Sequence, residues 1–137
     1  MIVFALDTTL ASCSAALLDA GTGRLCAAEQ TLMDKGHAEA IAPMVARVLA
    51  AGGAKPGDLA RIAVTTGPGT FAGLRIGLSL AHGMGVATGC PVTGIDTLTA
   101  TAAPLLASVA DLMVVHRAGA TGRFYAARFV QGALSGP

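Results

Sequence analysis

The sequence TTGPGTFAGLRIGLSLAHGMGVATG occupies residues 65–89 and divides into a strand end, a turn and a long helix. The Gly67-Pro68-Gly69 segment cannot continue a strand or a helix, because proline fixes φ and lacks an N–H group. Thr70 follows with a hydroxyl of the kind that caps helix N-termini. The pattern therefore predicts a turn at 67–69 and a helix that begins at Phe71.

Small residues recur every four positions along this helix, at Gly73, Gly77, Ala81 and Gly85. This spacing places them on one line of the helix surface and predicts a groove there. Each interior glycine costs a helix about 1 kcal/mol relative to alanine, so something must pack closely against the groove. An internal contact with a helix or sheet, a partner protein, and a phosphate held at the glycine-rich turn all fit the spacing.

The rest of the chain predicts an α/β fold. Three apolar runs separated by turn residues come first and indicate a three-stranded meander; strands then alternate with helices, which indicates a mixed sheet flanked by helices. This order is the one used by half of an actin-like ATPase, a ribonuclease-H-like unit. The predicted strands are 2–6, 11–18, 24–31, 61–65, 91–94, 112–115 and 124–130, and the predicted helices are 37–51, 71–88 and 98–106. A turn is predicted at 119–122, and Pro43 predicts a short, kinked or late first helix.

The composition restricts the class of protein. With 137 residues the chain fits a single domain, 1–137. A net charge of +1 with 12 % charged residues lacks the electrostatic footprint of a protein that holds nucleic acid by itself. No apolar run approaches the ~20 residues that span a bilayer, and the N-terminus lacks a basic signal-peptide region. We expect a cytoplasmic protein with no membrane contact.

The segment GPGTFAGLRIGLSLAHG, preceded by IAVTT and followed by GCPVTGIDTL, resembles the TsaB (YeaZ) family. Its members are bacterial subunits of the machinery that places threonylcarbamoyl on the adenosine next to the anticodon of certain tRNAs. The resemblance implies a non-catalytic subunit that binds and activates a TsaD-like enzyme. It also implies that ATP and a metal belong to that enzyme, that a TsaE-like ATPase takes part, and that tRNA is reached only through the complex.

The same resemblance implies a partner interface on the two long helices. The first helix carries a second line of small residues at Ala38, Ala42, Ala46 and Ala50. We expect the lone chain to form a homodimer through such stripes. The alternative, that both stripes pack inside the domain, stays open on spacing alone. The implied interface residues are His37, Ile41, Val45, Gly73, Leu74, Arg75, Gly77, Leu78 and Ala81.

A nucleotide-dependent enzyme of the same fold is the alternative function. ATPases of this fold carry Asp-x-Gly-Thr after the first strand, whereas this chain has Asp7-Thr8-Thr9 without the glycine, so Asp7 is expected to cap its own turn. The candidate phosphate contacts are Asp7, Thr8, Thr9, Gly67, Gly69 and Thr70. We predict neither a metal site nor catalytic residues, because the three histidines are isolated and no serine lies in a nucleophile motif.

One departure from the family concerns length. Members of the TsaB family continue into a second half of the same kind of fold, and the strand predicted at 124–130 comes near the end of this chain. A fragment, a truncated copy and a degenerate paralogue all fit this length, and the start of a truncated second half is expected from about residue 110.

Overall fold

The computed structural model describes residues 1–117 and 122–135. The elements in chain order are β1 (Ile2–Asp7), β2 (Ser12–Asp19), β3 (Arg24–Leu32), α1 (His37–Ala51), β4 (Leu59–Thr65), α2 (Phe71–Thr88), β5 (Val92–Ile95), α3 (Thr97–Ala102), β6 (Asp111–Arg117), β7 (Phe124–Val130) and β8 (Ala133–Ser135). Short 3₁₀ turns lie at Pro56–Asp58 and Ala103–Leu105. No helix in these ranges is both long and apolar enough to cross a membrane.

The first five strands form one mixed sheet in the order β3-β2-β1-β4-β5. Strand β1 pairs antiparallel with β2 and parallel with β4, as a meander followed by βα units requires. Helices α1 and α2 pack on the same sheet, and the main core between them and the sheet contains Phe4, Leu17 and Ile62. The predicted α/β fold with a mixed sheet and flanking helices is confirmed.

Helix α1 begins at the predicted residue and runs through Pro43. Gly36 precedes it with φ 89°, a left-handed conformation that glycine adopts without strain. The expectation that proline would shorten or delay the first turn is wrong. The apolar face on both sides of Pro43 is buried in the core, and this burial maintains the helix despite the missing N–H donor.

Helix α2 begins at Phe71, as predicted, and Thr70 caps it by accepting a hydrogen bond from the Gly73 N–H (3.1 Å). Its small-residue line faces the sheet, with all four members buried. A Cβ atom at position 73 would overlap the Thr8 carbonyl oxygen, and one at Gly77 would lie 2.7 Å from Thr8 Oγ1. Helix α2 therefore packs on β1 and its neighbours through this line, and the glycines permit the close approach. We call this packing contact the seat of α2.

Several predicted interface residues are consequently interior. The expected surface groove at Gly73, Gly77 and Ala81 is wrong, because these residues face the sheet. Ile41 and Val45 are core residues on the inner side of α1. His37, Ile41, Val45, Gly73, Gly77 and Ala81 are all buried within the chain, and their place at a partner interface stays a prediction.

A separate antiparallel sheet, in the order β6-β7-β8, begins at Asp111, near the expected start of a second half. It packs on α3 through a small cluster that includes Leu98, Val114 and Phe129. The predicted strands 112–115 and 124–130 belong to it, while β8 was not predicted. The predicted turn at 119–122 lies mostly outside the described residues. Whether this sheet opens a second half stays a prediction.

The seat of α2 predicts opposite effects for two glycines in the same helix. Gly77→Leu forces a branched side chain against β1, and overpacking of this kind costs about 1–3 kcal/mol. Gly83 is exposed with no atom near its absent side chain, so Gly83→Leu removes only a helix-disfavouring glycine. We expect thermal unfolding, followed by circular dichroism, to show a melting temperature lowered by several degrees for Gly77→Leu and unchanged or raised for Gly83→Leu. Equal melting temperatures would contradict the internal seat.

Candidate functional site

Small residues are exposed on the outer side of both α1 and α2. On α1 the four alanines 38, 42, 46 and 50 are all exposed, and on α2 the small residues Ala72, Ser79 and Gly83 are exposed. A shallow groove of about 490 Å³ runs between the helices, lined by members of both lines. We call this surface the α1–α2 face. Small side chains let another helix axis approach closely, so the face has the form of a helix-docking surface.

Three predicted interface residues lie on the outer or lateral sides of α2. Arg75 is exposed, and its guanidinium carbon lies 5.3 Å from the centre of the Phe71 ring, a cation–π contact one helical turn away. Leu74 and Leu78 are half-buried. Arg75 forms no salt bridge within residues 1–117 and 122–135, so an ion pair inside this part of the chain does not explain its position.

The loop after β1 closes on itself. Asp7 Oδ1 accepts hydrogen bonds from the Thr9 N–H (2.8 Å), the Thr9 hydroxyl (2.6 Å) and the Thr65 hydroxyl (2.6 Å). The expectation that Asp7 caps its own turn is confirmed. Thr8 and Thr9 are buried, and the Thr8 hydroxyl donates to the Gly73 carbonyl oxygen (2.6 Å).

The glycine-proline turn is bonded to its surroundings in the same way. The Thr70 N–H donates to the Thr9 carbonyl oxygen (2.8 Å), and a Cβ at Gly69 would lie 2.6 Å from that same oxygen. The Gly67 N–H donates to the Thr97 hydroxyl (3.1 Å), while the Gly67 carbonyl accepts from the Thr97 N–H (2.8 Å). Gly67 has φ 107°, a conformation that L side chains rarely adopt. The N–H groups of Thr9, Gly67 and Thr70 are therefore engaged within the chain.

The six predicted phosphate contacts do not converge on one site. Thr8 and Thr9 are buried, so burial argues against phosphate contacts by these two side chains. Asp7 lines a cavity on the open face of the five-stranded sheet, whereas Gly69 and Thr70 line a different cavity beside β6 and β7. Across the part of the chain that the structure describes, no cluster of histidine, cysteine and carboxylate side chains could hold a metal ion.

Cysteine chemistry does not contribute to this site. Cys13 and Cys90 are buried and Cys26 is half-buried, and all three thiols are free. Burial, and secondarily the nearby Asp7 carboxylate, raises the pKa of the Cys13 thiol. The thiol therefore stays protonated at neutral pH and acts as a small core side chain.

A wide cleft of about 1070 Å³ separates the start of α2 from strands β6 and β7. We call it the α2–β7 cleft. Phe71, Phe124 and Tyr125 line it, together with Arg117 and Arg123. The sequence analysis did not select these aromatic residues as site residues. The signal that could have identified them is the small number of aromatic residues, since the chain has four phenylalanines, one tyrosine and no tryptophan.

Comparison with known proteins agrees with the fold and with the sequence motifs. The protein-family model described as "TsaD: tRNA N6-adenosine threonylcarbamoyltransferase" matches residues 15–133. The tRNA threonylcarbamoyladenosine biosynthesis protein TsaB of Escherichia coli strain K12 is 36 % identical over 98 residues, covering 72 % of this chain and 41 % of that protein. The TsaB protein of Haemophilus influenzae is 35 % identical over 106 residues, covering 74 % of this chain and 42 % of that protein.

Among solved structures, YeaZ from Pseudomonas aeruginosa superposes with a TM-score of 0.89 at 27 % identity, covering 99 % of this chain and 65 % of that one. A ROK hexokinase from Thermus thermophilus, with a TM-score of 0.57 at 19 % identity, shares the fold alone. The chain thus spans about two fifths of the curated TsaB proteins that it matches. By its family-model match, its sequence relatives and its fold, the chain belongs to the TsaB (YeaZ) family of tRNA threonylcarbamoyladenosine biosynthesis proteins.

Proposed function

We propose that this chain is a non-catalytic subunit that binds and activates a TsaD-like enzyme in the threonylcarbamoyl modification of the tRNA adenosine next to the anticodon. The α1–α2 face carries the proposal, because it exposes a line of small residues on each of two neighbouring helices. A surface of this shape suits a pair of helices from another protein. In the chain alone, the same face would form the contact of a homodimer.

Arg75 would place a positive charge in the proposed contact on the α1–α2 face. It lies at the edge of the groove on the α1–α2 face and is held against the Phe71 ring. A cation in the first turns of a helix opposes the helix dipole, so it does not serve the stability of α2. We propose that Arg75 pairs with a carboxylate of the partner enzyme, with Leu74 and Leu78 at the margin of the contact.

The closed loops support a subunit without its own chemistry. The β1–β2 loop and the glycine-proline turn use their polar groups on one another. We therefore assign ATP and the metal to the TsaD-like enzyme and a separate ATPase role to a TsaE-like protein. The proposed location of the complex is the cytoplasm.

A nucleotide-dependent enzyme of the same fold is the second candidate function. The α2–β7 cleft favours it, since the cleft lies beside the loops that bind phosphate in ATPases of this architecture. Against it stand the missing glycine at Thr8-Thr9 and the burial of both threonines.

The first prediction for this function concerns the α1–α2 face. Ala42→Glu places a charge in the middle of the proposed contact, where burial without a partner is costly. We expect wild-type chain to co-purify with the TsaD-like enzyme of the same organism and the variant to lose that co-purification, with an unchanged melting temperature. Ala28→Glu is the matched control: Ala28 is exposed on the opposite face of the sheet. A complex that tolerates Ala42→Glu as well as Ala28→Glu would rule out this face.

The second prediction separates the two candidate functions. Because Asp7 and the N–H groups of Thr9, Gly67 and Thr70 are engaged within the chain, isothermal titration of the isolated protein with ATP and magnesium should show no binding. Micromolar binding with release of inorganic phosphate would instead establish the nucleotide-dependent enzyme. The same titration on a known ATPase of this fold provides the positive control.

A further inference from the structure

The aromatic residues of this chain fall into two groups. Phe4 and Phe129 are buried, one in each core cluster. Phe71, Phe124 and Tyr125 are 75 %, 65 % and 50 % exposed, and all three line the α2–β7 cleft. Folding alone would bury such large apolar side chains, and a cluster of exposed ones marks an interaction site.

Arginines accompany these rings. Arg117 lies directly opposite Phe124 in the β6–β7 ladder, so the two side chains share one face of the sheet. Arg123 is exposed next to Phe124 and lines the same cleft, in which Asp34 is the one carboxylate among the lining residues that the structure describes. Arg75 packs over the outer ring, Phe71. Exposed rings with interleaved arginines are the combination that binds single-stranded nucleic acid, whose bases stack on the rings while its phosphates meet the cations.

We propose that the α2–β7 cleft binds unpaired nucleotides of RNA, so that this chain contacts the tRNA substrate directly within the modification complex. This inference rests on the proposed function, and it adds a direct contact to the tRNA contact expected only through the partner enzyme. Bases in a duplex are stacked on one another and cannot lie on Phe124 or Tyr125, whereas an unpaired loop presents its base faces.

The cleft has room for bases together with their phosphates, since its volume of about 1070 Å³ is comparable to the upper end of the ~300–1,000 Å³ range of ligand sites. The net charge of +1 predicts weak binding by the chain alone, in the range of about 10⁻⁴–10⁻⁶ M that is typical of non-specific nucleic-acid contacts.

Fluorescence anisotropy with a labelled single-stranded RNA oligonucleotide tests the proposal on the full chain at low ionic strength. We expect binding to the single strand and at least ~10-fold weaker binding to the same oligonucleotide annealed to its complement. We expect Phe124→Leu to lower the affinity by about 5-fold to about 100-fold. The variant keeps an apolar side chain but loses the π face on which one base stacks. Arg123→Gln should weaken binding and lower the salt dependence by about one counterion.

Matched controls come from surfaces away from the cleft. Leu25→Ala removes an apolar side chain that is 60 % exposed near the start of β3, and Arg24→Gln removes an exposed cation beside it. Neither should change the affinity for RNA. Equal binding of single strand and duplex, or wild-type affinity in Phe124→Leu, would overturn the proposal. If the chain binds no RNA yet still co-purifies with the TsaD-like enzyme, the proposed subunit function stands and this inference fails.

Discussion

Helix α2 lies against the end of β1 and the following residue, Thr8, at a distance that only glycine permits: the Thr8 carbonyl oxygen occupies the space that a side chain at position 73 would need. The Thr8 hydroxyl completes the contact by donating to the Gly73 carbonyl. This seat fixes the start of α2 beside the loop that follows β1. It also determines which side of α2 faces the sheet and which side faces outward.

Two properties of the molecule follow from that one contact. The loop after β1 and the glycine-proline turn meet, and their polar groups bond to each other through Thr9 and Thr70. The opposite side of α2 then faces solvent beside the exposed alanines of α1. The chain shares its fold with a sugar kinase. In this chain the loop after β1 and the glycine-proline turn are hydrogen-bonded to each other, and the α1–α2 face is exposed. That combination suits a subunit that acts through contact with another protein.

Local sequence predicted the elements well because their signals are local. The cap at Thr70, the helix from Phe71 and the meander followed by alternating strands and helices follow from hydroxyl, glycine and apolar patterns within a few residues. The sequence did not predict whether the line of small residues on α2 faces the sheet or the solvent. Spacing puts Gly73 and Gly77 on one line, but only the position of β1 decides that this line faces inward, since glycine serves an internal contact and an interface equally well.

The same limit explains the other differences. Ile41 and Val45 were assigned to the interface by family resemblance, yet their apolar character alone fits the core that they occupy. The α2–β7 cleft joins Phe71 to Phe124 and Tyr125, which are more than fifty positions away in the chain, so no local pattern connects them. The small residues on the outer side of α2 were missed because Ala72, Ser79 and Gly83 do not follow a strict four-residue repeat.

The central claim is that α2 faces inward with its glycines and meets the partner with its opposite side. Ser79 is exposed in the groove of the α1–α2 face, and Cys13 and Cys90 are buried, so Ser79→Cys in a Cys26→Ser background provides one accessible thiol. The most direct measurement is the rate of maleimide modification of that thiol with and without the TsaD-like enzyme. We predict rapid modification of the chain alone and strong protection in the complex. Equal rates in a chain that still co-elutes with the enzyme would contradict the account.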